Sequence, residues 1–251
     1  CYQIPPLVDE RTDVVVSPLI ALMKDQVDTL KANGVPAAAL FSGITEAERR
    51  DIEARAAAGQ YRLLFVAPER LVTPSFINLC KRMDVRAFAI DEAHCISHWG
   101  HDFRPEYRRL TTLRARFPKA AIHAFTATAT QRVREDIAQQ LRLREPRVMV
   151  GTFDRPNLVY RIVLRHNADA QLRRHKDEAV IFFFNNPATT EKTAAMLTAN
   201  GVKAAPYHAG LAPNLRAKTQ EDFAAERLDV VVATVAFGMG IDRSNVRCVV
   251  H

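Results

Sequence analysis

The sequence predicts an α/β protein in which parallel strands form sheets and helices cover the faces of those sheets. Short apolar runs such as residues 62–67 and 179–184 recur along the chain, and they are rich in valine, leucine and phenylalanine. Runs of that length and composition are typical of strands buried on both faces of a parallel sheet. Longer segments with apolar residues at helical spacing, such as residues 19–30, lie between them. This alternation of strand and helix is the pattern of α/β proteins.

Each element follows from its local pattern. Apolar or β-branched runs predict strands at residues 13–17, 37–40, 62–67, 85–90, 121–125, 157–164, 179–184, 204–207 and 230–233. Helical spacing, with glycine or asparagine at several ends, predicts helices over residues 19–32, 46–58, 105–116, 131–141, 187–200 and 211–227. Thr130 stands at the position of an N-cap for one of these helices.

Composition limits the possible classes of protein. The 251 residues are 48% hydrophobic and 25% charged, which is typical of a folded chain of one large or two modest domains. No apolar stretch approaches the roughly 20 residues needed to cross a bilayer, so we expect no membrane association. Four cysteines without C-x-x-C spacing favour a reduced, cytoplasmic setting over a zinc site or a disulfide scaffold. The net charge of +7 is compatible with a polyanionic partner.

Two features indicate how the chain is divided. Residues 153–157, FDRPN, are polar and contain a proline after one full α/β series, which predicts a boundary between domains 1–151 and 152–251. The chain begins with Cys1 and ends inside an apolar run. We therefore expect a fragment of a longer chain.

The most informative stretch begins where the run 85–90 ends. Asp91 and Glu92 follow it directly, and ligands of open α/β sheets bind beyond the carboxyl ends of the strands. One carboxylate there could hold Mg²⁺ carrying a nucleotide's phosphates, and its neighbour could orient or deprotonate a water molecule. The alternative is a chance pair, because two acids after an apolar strand are weak evidence by themselves.

An aromatic and cationic loop follows this acidic pair. Trp99 is the single tryptophan of the chain, and His101, Phe103 and Arg104 lie just after it. Aromatic faces stack on the bases of single strands, and arginine binds phosphate. Trp99 and Phe103 could instead be packing residues, but the loop has no continuous apolar face. The pattern therefore favours a single-strand binding loop beside a hydrolytic site.

These residues resemble a known family. Asp91-Glu92-Ala93-His94 resembles the D-E-A-H box of superfamily 2 helicases, and residues 95–107, CISHWGHDFRPEY, closely resemble the aromatic-rich loop of RecQ-type DNA helicases. That family usually has glutamine where this chain has His98. The resemblance covers essentially the whole chain. It implies two RecA-like lobes of the P-loop NTPase type, both incomplete, with ATP bound in the cleft between them.

Further segments resemble other motifs of the family, and the alternatives are structural. Residues 17–19 and 68–70 resemble its first two DNA-contacting motifs, although Ser17 could be a plain helix cap. Residues 126–130 and 234–242 resemble motifs III and V. The resemblance implies catalytic roles for Asp91, Glu92 and His94, metal binding by Asp91, and nucleotide contacts by Asp91, Thr126, Gly240 and Asp242. The implied DNA-binding residues are Ser17, Arg70, Trp99, His101, Phe103, Arg104, His208 and Thr234.

The function implied by the resemblance is ATP-dependent 3′-to-5′ DNA unwinding in recombination and repair, with ATP and Mg²⁺ as cofactors. The implied partner is single-stranded DNA and duplex junctions, in the bacterial cytoplasm or nucleoid. Residues 1–5 resemble the segment that follows the phosphate loop, so we expect that loop upstream of Cys1 and motif VI after His251. Two alternatives stay open, namely a DNA-binding remnant that does not hydrolyse ATP and an RNA helicase. The aromatic loop argues against the second.

Overall fold

The computed structural model describes residues 1–152, 155–160, 162, 178–234, 237 and 243–251. The chain divides into two compact units, Cys1–Gly151 and Thr152–His251. Within the described residues, no helix is both long enough and apolar enough to span a membrane.

The first unit, which is described throughout residues 1–151, is built on a five-stranded parallel sheet. Its strands are β1 (Asp13–Val16), β2 (Ala37–Leu40), β3 (Leu63–Val66), β4 (Ala87–Ile90) and β5 (Ala121–Ala124). They lie in the order β2-β3-β1-β4-β5. In this register Val16 lies beside both Val66 and Ile90. The loops that follow β1, β3 and β4 therefore leave the same edge of the sheet.

Burial explains why these short runs form strands. Every residue of β1 to β4 is buried, whereas the edge strand β5 is partly exposed. Successive side chains of β1 enter different apolar clusters, with Val14 and Val16 on one face of the sheet and Val15 on the other. This is the two-residue period of a strand covered on both sides.

Helices connect the strands of the first unit. Their bounds are Pro5–Val8, Ile20–Ala32, Glu46–Ala57, Pro68–Leu71, Pro74–Arg82, Pro105–Arg108, Leu113–Arg116 and Gln131–Gln140, with 3₁₀ turns at Ala93–Ile96 and Arg109–Thr112. Gly34 and Gly59 adopt φ angles of 74° and 70° just after two of these helices, as helix-ending glycines do. The Thr130 side chain accepts a hydrogen bond from the Val133 amide, so the predicted N-cap is present.

The predicted helix over residues 105–116 is present between these bounds, but it is not a regular α-helix throughout. Residues 105–116 form two short α-helical turns separated by a 3₁₀ turn. Tyr107, Leu110 and Leu113 are buried at intervals of three residues, which suits the 3₁₀ repeat better than the α-helical one. The Thr112 hydroxyl also donates to the Arg109 carbonyl at 3.0 Å, and such local bonds compete with the regular helix.

The second unit repeats the same architecture. Among its described residues, a four-stranded parallel sheet has the order β7-β8-β6-β9, where the strands are β6 (Ala179–Phe183), β7 (Ala204–Tyr207), β8 (Val230–Ala233) and β9 (Val246–Val250). The helices Pro187–Ala199 and Pro213–Ala224 pack against it. The prediction of a strand at 157–164 is wrong for residues 157–160 and 162, which form no strand, and the other residues of this segment lie outside the described ones. The prediction of an α/β chain with two parallel-sheet units is confirmed.

Candidate nucleotide and nucleic-acid site

The acidic pair lies at the carboxyl end of β4, next to the central strand. The Asp91 amide continues the sheet by donating to the Val16 carbonyl at 2.9 Å. Glu92 then adopts a left-handed backbone with φ of 46°, and the chain turns into Ala93–Ile96. This abrupt turn leaves two adjacent carboxylates at the sheet edge, where ligands of such folds bind.

The electrostatics of Asp91 suit a cation. Burial, and after it the neighbouring Glu92 charge, raise the pKa of Asp91 to about 6. The Tyr107 hydroxyl donates to the Asp91 backbone carbonyl at 2.9 Å and fixes this position. A poorly hydrated carboxylate gains more from a metal ion than a fully hydrated one does, and Mg²⁺ prefers oxygen ligands. The residues present therefore fit the metal that accompanies a nucleotide.

His94 connects the acidic pair to the loop after β5. Its side chain is 2% exposed, and Nδ1 lies 2.8 Å from the Thr126 hydroxyl and 3.2 Å from the Glu92 carboxylate. The Thr126 hydroxyl also accepts a bond from the Thr128 amide at 3.3 Å. The structure thus brings together Glu92, His94 and Thr126, three residues that the sequence singled out separately.

The aromatic loop rests against the same histidine. His101 stacks on His94 with ring centroids 4.3 Å apart, and His98 lies 3.8 Å from Phe103. A Cβ atom on Gly100 would lie 2.5 Å from the His94 carbonyl oxygen, so this turn requires glycine. The Trp99 residue, in contrast, is 58% exposed. The loop is therefore anchored by packing of His101 on His94, next to the acidic pair, whereas its Trp99 side chain is exposed to solvent.

Arg104 ties this loop to the segment after β1. Its guanidinium donates to Asp102 through Nε and Nη2, at 3.0 and 2.9 Å, and to the Pro18 carbonyl at 3.1 Å. Pro18 follows Ser17, whose buried hydroxyl has no hydrogen-bond partner among the described residues. The loop and the Ser17 turn are thus neighbours in space, although they are far apart in the chain.

A group of possible metal ligands lies beneath the loop. Ligand atoms of His94, Cys95 and Asp102 lie within 4.8 Å of one another. However, Arg104 already neutralises Asp102, and burial followed by the Asp102 charge raises the pKa of the Cys95 thiol to about 12. Because metal binding needs a thiolate and a free carboxylate, this group is better described as a hydrogen-bonded cluster.

Two predicted DNA-binding residues have protein partners that the sequence did not indicate. The Arg70 guanidinium forms an ion pair with Glu53, and its side chain is only 17% exposed. His208 in the second unit is 3% exposed, and its Nε2 lies 3.0 Å from the Glu191 carboxylate. No sequence signal marks these partners, because tertiary packing alone brings them together.

The remaining predicted residues lie in the second unit. Thr234 follows β8, and its amide donates to the Tyr207 carbonyl of β7 at 3.0 Å. His208 and Thr234 therefore follow neighbouring parallel strands and share one sheet edge. Gly240 and Asp242 lie outside the described residues.

The chain matches two known sequence families. Residues 1–137 match the family described as DEAD/DEAH box helicase, and residues 159–251 match the helicase conserved C-terminal domain. The chain belongs to the DEAD/DEAH box helicase family. The first match alone covers more than half of this helicase-family chain.

Three bacterial relatives of this helicase-family chain share one description. This chain is 48%, 46% and 43% identical to the ATP-dependent DNA helicase RecQ of Pasteurella multocida, Haemophilus influenzae and Bacillus subtilis, respectively. Each alignment covers the whole chain and 40%, 41% or 43% of the relative, so the chain spans about two fifths of the length of these curated relatives. The resemblance to RecQ-type helicases drawn from the sequence is confirmed.

A solved structure shares the fold of this helicase-family chain. It is the Mycobacterium smegmatis helicase Lhr, described as bound to ssDNA and AMP-PNP. The TM-score is 0.62 at 21% sequence identity, over 95% of this chain and 36% of that one. This match supports the α/β architecture of a helicase.

Proposed function

We propose that this chain is the core of a RecQ-type DNA helicase that uses ATP hydrolysis to move 3′-to-5′ along single-stranded DNA and to unwind duplex junctions. The observation that carries the proposal is the continuous contact from Glu92 through His94 to the aromatic loop. The named activity of the RecQ relatives and the ligands of the Lhr structure support the same function. Recombination and repair in a bacterial cytoplasm or nucleoid are the proposed setting.

On the nucleotide side, four residues of the first unit have separate proposed tasks. Bound Mg²⁺ would neutralise charge on the ATP phosphates, and Asp91 would hold it. Glu92 accepts the proton of the attacking water as general base. A proton on His94 Nδ1 orients the Glu92 carboxylate, from which it lies 3.2 Å, while Thr126 holds the imidazole at 2.8 Å. From the second unit, Gly240 and Asp242 are the proposed nucleotide contacts.

On the DNA side, the proposal separates base contacts from backbone contacts. Trp99 and Phe103 are the proposed base contacts. Trp99 is the exposed stacking platform, and Phe103 also contacts His98 within the loop. Residues proposed to hold or position the DNA backbone are Ser17, Arg70, His101, Arg104, His208 and Thr234. For Arg70, a phosphate contact requires exchange of the Glu53 carboxylate for a phosphate oxygen.

The proposed mechanism couples the two sites through His94. The ring that faces Glu92 at Nδ1 is the ring on which His101 stacks. A change in the nucleotide-bound position of Glu92 or Thr126 therefore displaces the base of the aromatic loop. Repeated binding and hydrolysis would move the loop between two positions, as one step of translocation requires.

ATP hydrolysis with and without single-stranded DNA tests this proposal. The measurement uses the complete protein that contains this chain, and Glu92→Gln is the variant. We expect DNA to stimulate hydrolysis, and we expect Glu92→Gln to lower turnover by about 10²- to 10⁴-fold while ATP binding persists. Unchanged turnover in Glu92→Gln would remove Glu92 from the role of base.

Further arms of the same experiment separate the alternatives. Trp99→Ala should lower DNA-stimulated hydrolysis more than basal hydrolysis, whereas equal losses would make Trp99 a packing residue. Stronger stimulation by RNA than by DNA would indicate an RNA helicase. DNA binding without any hydrolysis would indicate a binding module. Strand displacement from substrates with a 3′ or a 5′ single-stranded tail tests the direction of travel.

A further inference from the structure

We propose that Arg132 is a positioning residue that holds the Trp99 ring ready to stack on a DNA base. The guanidinium carbon of Arg132 lies 3.2 Å from the centre of the Trp99 ring. Arg132 belongs to the first turn of the helix Gln131–Gln140 and is itself exposed. This inference rests on the proposed role of Trp99 in DNA binding and adds a residue to that role.

The geometry leaves one face of the indole available. A planar guanidinium above the ring covers one face, yet Trp99 keeps 58% of its surface exposed. A base can therefore stack on the uncovered face while Arg132 stays on the other. The cation is attracted by the negative face of the ring and limits the rotation of the side chain. Since a held side chain loses less entropy when it binds, this contact favours DNA binding.

The same helix also holds the backbone of Trp99. The Trp99 amide donates to the Ser97 hydroxyl at 3.2 Å. The buried Ser97 hydroxyl in turn donates to the Asp136 carboxylate. Although partial burial acts to raise the pKa of Asp136, hydrogen bonds from Ser97 and Gln140 hold it below its usual value, so the acceptor is anionic at neutral pH. Ring and backbone of Trp99 are thus held from one helix.

This helix is connected to the candidate nucleotide site through its first turn and its apolar face. It begins just after the loop in which Thr126 bonds His94, and Thr130 caps it. Val133 and Ile137 of the helix lie in the same apolar cluster as residues of the Ala93–Ile96 turn. A movement of the loop 126–130 therefore carries Arg132 with it, and through Arg132 the Trp99 ring.

The single tryptophan makes the contact measurable on the chain itself, without activity. All emission at tryptophan wavelengths comes from Trp99, because the sequence contains no other tryptophan. We would measure acrylamide quenching of this emission and the affinity for a labelled oligothymidylate, at several salt concentrations. The variants are Arg132→Ala, Arg132→Gln and Arg132→Lys. Arg116→Ala is the control, since it removes one positive charge from an exposed position of another helix.

The expected result separates positioning from simple charge attraction. Arg132→Ala and Arg132→Gln should increase quenching of Trp99 and weaken oligothymidylate binding by about two- to fivefold. For Arg132→Lys, both the quenching and the affinity should lie between the values of these variants and of the wild type, because an ammonium group keeps the charge but cannot stack as a plane. The slope of log affinity against log salt should stay unchanged, because no phosphate contact is lost. Arg116→Ala should leave the quenching at the wild-type value.

Several outcomes would overturn the inference. If the slope of log affinity against log salt decreases in magnitude by about one in Arg132→Ala, Arg132 is a phosphate contact instead. Tighter binding by Arg132→Ala would make it a cover that DNA must displace. Wild-type affinity and quenching in all three variants would leave Arg132 without a role.

Different results would refute the proposed DNA-binding role of Trp99 and the positioning role of Arg132. If Trp99→Ala binds oligothymidylate as tightly as the wild type, Trp99 is not a DNA contact, and the role of Arg132 in DNA binding falls with it. If Trp99→Ala loses binding while Arg132→Ala does not, only the inference about Arg132 fails. Far-ultraviolet circular dichroism of each variant confirms that the fold is retained.

Discussion

At the scale of single residues, Asp91 links the proposed function to stability. Burial and the Glu92 charge raise its pKa to about 6, from the 3.8 of a free carboxyl. Between about pH 4 and 6 the unfolded chain releases this proton before the folded chain does. The free energy of unfolding therefore falls as pH rises through that window, and the loss is complete above it.

Asp91→Asn is expected to make the metal-free protein more stable. The amide carries no charge to desolvate, so the free energy of unfolding at pH 7 should rise by about 1 to 2 kcal/mol. Near pH 3, below both pKa values, Asp91 is mostly protonated in the folded and the unfolded state, so the gain should vanish. Urea unfolding at the two pH values measures this, with Glu69→Gln at an exposed carboxylate as the control. A gain of equal size at both pH values would contradict the assigned cause.

Some features of single residues could be predicted from the sequence, and others could not. Asp91 and Glu92 were predictable because an apolar run followed by acids defines a strand end, and the run needs no distant partner to be recognised. The ion pair of Arg70 with Glu53 was not predictable. Its two residues belong to different helices, and their meeting depends on how those helices pack against the sheet.

At the scale of elements, the helix Gln131–Gln140 joins the two halves of the candidate site. Its first residue follows the capping Thr130, and its side chains contact the Trp99 loop at Arg132 and Asp136. The stability of its first turn therefore bears on the position of Trp99. Glu46–Ala57 begins in the same way, with Thr45 accepting a bond from the Glu48 amide, and offers a matched comparison.

Thr130→Ala is expected to affect both stability and the Trp99 loop, whereas Thr45→Ala should affect stability alone. Removal of either cap should lower the free energy of unfolding by about 1 kcal/mol. Because Arg132 lies in the first turn after Thr130, Thr130→Ala should also increase acrylamide quenching of Trp99. Urea unfolding and quenching of both variants test this. Equal quenching in the two variants would show that the cap does not control the loop.

The elements themselves were predicted best where burial is complete. The fully buried strands β1 to β4 each fall within the predicted runs, since continuous apolar segments of that length have few other stable solutions. The predicted helix 105–116 has the predicted bounds, but the sequence did not predict its central 3₁₀ turn, because apolar spacing of three residues fits both helix types. Only packing of Tyr107, Leu110 and Leu113 on the core decides between them.

At the scale of the whole molecule, apolar burial is divided between the two units. Among the described residues, two core clusters consist of residues before Gly151, and two others consist of residues after Thr152. Each sheet thus has apolar contacts on both faces from within its own unit. A unit that buries its own core can fold without the rest of the chain.

Residues 1–151 alone are expected to fold cooperatively. The fragment contains both of its core clusters and Trp99, so tryptophan emission and circular dichroism should change together during urea unfolding. The complete chain is the reference, and its transition for Trp99 should have a similar midpoint. Non-coincident transitions in the fragment would show that the second unit is needed for the first to pack.

The left-handed backbone of Glu92 has a consequence for how such a site persists. A non-glycine residue in that conformation costs about 1 kcal/mol, and the neighbouring Asp91 adds the cost of a desolvated charge. Two consecutive positions therefore lower the stability of a sheet edge that is otherwise well packed. Glycine at position 92 or an uncharged amide at position 91 should yield a more stable protein, at the expense of the proposed chemistry. If the pair has the proposed roles, it therefore represents a trade-off between the stability of this sheet edge and activity.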